Sequence, residues 1–174
     1  MQVTSYIVPT SMSKQNPPVP RLRRTTPEIY LVAQNIRSLF NVGSLFRCAD
    51  VFGVKKIYLC GYTGFPPRKE ISKTALGAEQ WIPWERHWQT HMLIKKLKVQ
   101  GVRIVALETG KHHTLLPEFR YDGPVALVVG SEVSGISRSI LALADDRVKI
   151  PMHGKKESLN VAVAAGIGLY ALRQ

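Results

Sequence analysis

At 174 residues, with 45% hydrophobic and 21% charged residues, the chain is long enough for one domain with a substantial core and too apolar for a disordered polypeptide. Its 24 Lys and Arg against 12 Asp and Glu leave a net charge of +12, which favours a polyanionic partner, nucleic acid first, over charge that merely solubilises. Two cysteines, Cys48 and Cys60, without CxxC spacing argue against a disulfide framework and leave the cytoplasm as the expected compartment.

Residues 1–27 read as a flexible, basic, proline-rich arm. Pro9, Pro17, Pro18, Pro20 and Pro27 would break an amphipathic transit helix, while Lys14, Arg21, Arg23 and Arg24 offer contacts to phosphate. A single domain over 28–174 follows. Glu28 to Ala33 suits a first strand, and the loop Asn35 to Gly43 leads into a helix beginning near Asn41. Val42, Leu45, Phe46, Ala49 and Phe52 make its apolar face, Arg47 falls off that face, and Gly53 stands where a left-handed C-cap belongs. Lys56 to Leu59 is a strand, Thr90 to Gln100 a helix, and Arg103 to Leu107 a strand. Val125 to Val129 suits a strand covered on both faces. Ser137 is placed to cap a short helix through Ala144, Arg147 to Ile150 is the last strand, and Ser158 opens a terminal helix. The apolar run Val161 to Leu172 is too short for a bilayer, which needs about 20 residues, and is read as a buried helix. Alternating strands and helices give an α/β class with a mainly parallel sheet flanked by helices.

Three post-strand loops can hold chemistry: Asn35 to Gly43, Gly130 to Gly135 and Met152 to Ser158. The middle one lacks GxGxxG, GxxxxGK[ST] and GxSxG spacing, so a dinucleotide fold, a P-loop and a nucleophile elbow are all unsupported. His87 with His91, and His112 with His113, lack the glutamate or cysteines of a zinc site, and no metal is expected. Trp81, Trp84 and Trp88 could stack bases, although packing against a sheet is the favoured reading.

Taken together, the loops resemble the three signature motifs of the SpoU/TrmH family of SPOUT methyltransferases. The first is Asn35-Ile-Arg-Ser-Leu-Phe-Asn-Val-Gly-Ser-Leu-Phe-Arg, the second Val129-Gly-Ser-Glu-Val-Ser-Gly-Ile-Ser, the third Ile150-Pro-Met-His-Gly-Lys-Lys-Glu-Ser-Leu-Asn-Val-Ala-Val-Ala-Ala-Gly. The likeness runs from about Ile29 to Leu172. It departs at Ser38, where a proline is common, and at Ala162, where a serine often stands.

The resemblance implies a C-terminal trefoil knot, a homodimer, S-adenosylmethionine as cofactor and methylation of a ribose 2′-hydroxyl of tRNA or rRNA. It gives Arg47 the catalytic role, with Asn35, Glu132, Ser158 and Asn160 positioning it and the ligands. It assigns cofactor contacts to Leu107, Glu108, Gly130, Ile150, Met152, Ser158 and Leu159, the glycine admitting close backbone approach to the ligand. Arginine is a poor general base, so pinning a phosphate and stabilising the developing alkoxide is the preferred account of Arg47. A plain surface arginine paired with Asp50 is the bland one. A base-methylating SPOUT enzyme and a catalytically silent RNA-binding knotted dimer are the rival functions. No separate N-terminal RNA-binding domain of the kind many members carry is expected, leaving substrate choice to the arm, the basic surface or an accessory protein.

Overall fold

The computed structural model describes residues 27–110 and 113–174; the arm apart from Pro27, together with Lys111 and His112, lies outside the described residues. Seven strands form one parallel sheet: β1 (Ile29–Gln34), β2 (Lys56–Cys60), β3 (Trp84–His87), β4 (Arg103–Leu107), β5 (Thr114–Leu115), β6 (Val125–Val129) and β7 (Asp146–Lys149). Their spatial order is β3-β2-β1-β6-β4-β7-β5, so the chain builds outward from β1 in one direction and then crosses to the other side of it. Between them run α1 (Leu39–Val51), α2 (Lys69–Ala75), α3 (Thr90–Val99), α4 (Arg138–Leu141) and α5 (Val161–Leu172).

Both faces of the sheet are covered, which is why its central strands are apolar throughout rather than alternating. Ile29, Leu31 and Ala33 of β1, Val105 and Leu107 of β4, and Val125, Leu127 and Val129 of β6 enter one core with α1, α2 and α5. Val32, Ile104, Ala106, Ala126 and Val128 point the other way, into a second core with α3 and the segment around α4.

Helix α1 begins two residues before the expected Asn41. The Ser38 hydroxyl accepts the Asn41 N–H at 3.3 Å, and the predicted apolar face is buried at Val42, Leu45, Phe46 and Ala49. Phe46 is fully buried, so its truncation to alanine would cost about 3–5 kcal/mol. Gly43 is the point of closest approach to α2: a Cβ there would overlap Thr74 Oγ1 and the Ile71 carbonyl. Gly53, at φ +59°, terminates the helix as expected.

Several elements differ from the expectation. The segment around Trp84 is an edge strand, α2 was not anticipated, and α4 is shorter than a helix reaching Ala144. Ser137 precedes α4 but makes no side-chain cap bond. Helix α5 starts at Val161 rather than Ser158, because Asn160 caps it: its Oδ1 accepts from the N–H groups of Ala162 (2.9 Å) and Val163 (3.4 Å). Nor is α5 buried all round, since Val163, Ile167 and Tyr170 are exposed. At the end of the chain, Arg173 donates to the carbonyls of Phe52 (2.6 Å), Gly53 (2.5 Å) and Pro27 (3.1 Å).

Candidate active site

In a parallel sheet every strand ends on the same rim, so the loops after β1, β4, β6 and β7 converge there. Asn35 leaves β1 at φ +59°, a left-handed conformation that asparagine tolerates better than most residues. Its N–H donates to the Cys60 carbonyl (3.1 Å) and its Oδ1 accepts from the Tyr62 N–H (3.2 Å), tying the β1 rim to the β2 rim. Buried Thr63 braces the same turn, accepting from the Ile36 N–H and donating toward the carbonyls of Ala33 and Cys60. Gln34 clasps the next loop in both directions: Nε2 donates to Ser137 Oγ (2.9 Å), and Oε1 accepts the Ser137 N–H (3.0 Å). That clasp is where the Ser137 hydroxyl is used instead of in a cap.

Glu132, Asn41 and Asn160 form a chain across the three loops. Asn41 Nδ2 donates to Glu132 Oε1 at 2.7 Å, Asn160 Nδ2 donates to Asn41 Oδ1 at 3.0 Å, and the Arg37 N–H reaches Glu132 Oε2 at 3.2 Å. Burial pushes the Glu132 carboxyl up, but the Asn41 amide and the backbone N–H groups around it outweigh burial and hold it below the ordinary carboxylate range. It is therefore an anion with both oxygens engaged, suited to holding loops in place rather than to taking up a proton. Nearby Tyr62 has its phenol lowered by the side chains of Ser131 and Arg37.

Over the rim between these loops lies a cavity of about 500 Å³, a size typical of small-molecule sites. Leu107, Glu108 and Gly130 line it on the β4 and β6 side, and Ile150, Met152, Ser158 and Leu159 on the β7 side. All seven residues assigned to the cofactor thus share one pocket. Two of them are used differently from the expectation. The Cβ space at Gly130 is filled by the backbone of Gly135 and Ile136, so glycine there lets the loop fold back on itself rather than admitting a ligand. Glu108 braces that fold: Oε2 accepts the Ile136 N–H (2.7 Å) and Oε1 the Thr109 N–H (2.9 Å).

Arg47 stands apart from this network. It is exposed on α1, six residues and about 9 Å along the axis from Asn41. Among the described residues it has no hydrogen bond or ion pair, and Asp50 accepts the Trp81 indole N–H (2.9 Å) instead of pairing with it. Its guanidinium therefore remains available. The residues that sequence reading missed are Gln34, Asn41 and Thr63. Asn41 lies within the first motif, but its partners are 91 and 119 positions away.

A parallel α/β sheet with a small-molecule cavity and a polar network on its carboxyl rim defines a ligand-binding α/β protein whose chemistry lies on the post-strand loops. Residues 28–170 match the profile of the SpoU rRNA Methylase family, and the chain belongs to that family. A tRNA (guanosine(18)-2′-O)-methyltransferase of Thermus thermophilus is 32% identical over 149 residues, covering 86% of this chain and 76% of the relative. A 23S rRNA (guanosine-2′-O-)-methyltransferase of Coxiella burnetii is 32% identical over 152 residues, covering 87% and 60%. The fold matches the crystal structure of the Aquifex aeolicus TrmH/SpoU tRNA modifying enzyme with TM-score 0.77 at 31% identity, over 84% of this chain and 74% of the other. It matches an AdoMet-bound rRNA methyltransferase of Sinorhizobium meliloti with TM-score 0.79 at 31% identity, over 84% and 56%. Among the described residues no helix is long and apolar enough to cross a membrane.

Proposed function

We propose that this chain is an S-adenosylmethionine-dependent RNA methyltransferase acting on a ribose 2′-hydroxyl of tRNA or rRNA, in the cytoplasm. The observation that carries the reading is the meeting of all three family motifs on one rim, joined by the Glu132–Asn41–Asn160 chain beside a cavity of about 500 Å³. That cavity fits the cofactor by size and by lining, with Leu107, Ile150 and Leu159 as apolar wall and the polar loop Gly130 to Ser134 opposite. S-adenosylmethionine supplies an electrophilic methyl group on a sulfonium. The chain's task is then positioning and electrostatics, since an in-line displacement needs the two reacting atoms about 3–3.5 Å apart. Asn35, Glu132 and Asn160 fix the loops against one another, Ser158 lies on the pocket wall, and the unpaired Arg47 holds the RNA phosphate and the charge developing on the 2′-oxygen.

The enzyme acts as a homodimer. Val163, Ile167 and Tyr170 recur at steps of four and three, placing an exposed apolar stripe on α5 beside α1. Family membership supports a trefoil knot in the C-terminal half. The arm over residues 1–27 supplies phosphate contacts, and an accessory protein can add to substrate choice.

The test incubates the protein with methyl-labelled S-adenosylmethionine and total tRNA or rRNA, followed by nucleoside mass spectrometry. A ribose-methylated nucleoside is expected. A methylated base, or RNA bound without transfer, would replace this reading with one of its rivals. Arg47→Ala should lower turnover by about 100-fold or more while cofactor affinity holds.

A further inference from the structure

The tryptophans of the β3 region mark a second surface that methyl transfer does not use. Trp84 is half-buried against Phe65, ring centroids 6.2 Å apart, and Trp81 is tied to Asp50. Trp88, the first residue beyond β3, is 68% exposed and has no hydrogen bond among the described residues. Against its inner face lies the Arg86 guanidinium, 4.2 Å from the ring centroid, and the same guanidinium lies 4.4 Å from the centroid of Phe65. Arg86 has no carboxylate partner among the described residues, for the adjacent Glu85 is held by Lys56 (2.6 Å) and His87 (3.1 Å). Phe65, Arg86 and Trp88 therefore form a stacked column whose outer ring face is left to solvent.

Two facts say what should cover that face. Two adjoining shallow hollows share Pro67, Arg68 and Lys69, one reaching Phe65 and the other Lys73; Arg68, Lys69 and Lys73 make no ion pair among the described residues, and Glu70 is the one acid lining either hollow. An exposed indole backed by one guanidinium, with three further cations beyond Phe65, matches a stacking base with flanking phosphates, whereas an apolar protein surface would leave those cations desolvated. The column also stands on the catalytic rim. The His87 carbonyl accepts the Gly61 N–H (2.9 Å), and the neighbouring Tyr62 N–H donates to Asn35, giving a hydrogen-bonded ledge from β3 to the first motif. At the usual strand spacing, β3 lies about 10 Å from β1 and about 14 Å from β6.

Building on the RNA methyltransferase reading, we propose that Trp88, backed by Arg86 and Phe65, stacks an unpaired base of the substrate RNA a few nucleotides from the methylated ribose, with Arg68, Lys69 and Lys73 on the adjoining phosphates. Arg86 holds the indole in place before binding, so the base meets a preordered platform, and its charge strengthens the stack from beneath. Because every base has a π-face, the contact selects for unpaired structure rather than for sequence.

The test uses the full chain with an unstructured oligouridylate and a long RNA duplex as probes. Trp88→Ala should weaken oligouridylate binding about 10-fold and leave duplex binding and S-adenosylmethionine affinity unchanged. Trp88→Phe should retain most of the oligouridylate affinity while abolishing the quenching of indole fluorescence that oligouridylate produces in the parent protein. Equal losses on oligouridylate and duplex, or no loss on either, would overturn the proposal, as would a Trp88→Ala protein that loses self-association with RNA binding intact. Absence of methyl transfer by the parent protein would sink the enzymatic reading instead, which these binding measurements keep distinguishable.

Discussion

Replacing Asn41 with alanine removes both links of the chain that joins the three loops, and the structure sets the scale of the consequence. The bond to Glu132, at 2.7 Å, has a charged acceptor, a kind worth about 1.5–3 kcal/mol when shielded; the bond from Asn160, at 3.0 Å, is neutral and worth about 0.5–1.5. Glu132 and Asn160 are exposed, so solvent screening cuts the pair to about 1.5 kcal/mol in total. Alanine returns about 0.5 kcal/mol of helix propensity in α1. The net loss of about 1 kcal/mol lowers Tm by about 2–4 °C for a chain of this size. Turnover should fall further than stability suggests, by about 10- to 100-fold, because loop placement and not fold is what the chain maintains. A pH signature accompanies it. A carboxylate whose folded pKa is depressed contributes stability above its unfolded pKa and loses that contribution as pH falls through the folded value. Without the Asn41 amide the Glu132 carboxyl is held down less against burial, so its folded value moves towards the unfolded one and the stability it loses in acid is smaller and lost by a higher pH in the variant. Thermal unfolding across the acid range and single-turnover methyl transfer measure both effects. A variant with parental Tm, acid profile and rate would refute the role given to the chain.

Ile167→Lys on the exposed α5 stripe should convert a particle of twice the 19.5 kDa chain mass into a monomer by light scattering, and a dimer that survives it would place the interface elsewhere. Deleting residues 1–26, which spares the Pro27 carbonyl bound by Arg173, should weaken RNA binding and reduce the log–log salt slope by about 0.7–0.9 per lost phosphate contact; unaltered affinity at low and moderate salt would remove the arm from recognition. Burial pushes the Cys60 thiol up to about 12, against a small lowering by Thr90, so at pH 8 it should resist alkylation until the protein unfolds. Rapid labelling of native Cys60, read by mass spectrometry, would contradict that burial.

The central strands and the buried face of α1 were legible because periodicity reports burial: β4 and β6 fall on the expected residues, and Val42, Leu45, Phe46 and Ala49 lie inside. Strand β3 was not legible, for Trp84-Glu-Arg-His pairs on one edge only and carries no apolar run. Helix α2 is short and polar, held by packing on Gly43 rather than by a pattern of its own. Two of the three tryptophans expected to pack, Trp81 and Trp88, are exposed, because spacing records neither the edge of a sheet nor the arginine that stacks there. Of the seven assigned pocket residues, Gly130, Ile150, Met152, Ser158 and Leu159 were readable through the motifs, and Leu107 and Glu108 from their place at the end of a strand. The bracing by Asn41, Gln34 and Thr63 was not, since a hydrogen bond between residues far apart in the chain leaves no local sequence signal.

The grip of Arg173 on Pro27, Phe52 and Gly53 brings the two ends of the described residues together. A gene rearranged so that a short linker joins these ends is thus geometrically admissible, with new termini at the exposed Gly101 turn, where added atoms would meet nothing. Such a permuted protein would keep the carboxyl rim and its loops while synthesising β4 through α5 ahead of β1. Comparing its refolding rate with that of the parent would separate what the finished geometry requires from what the order of assembly requires.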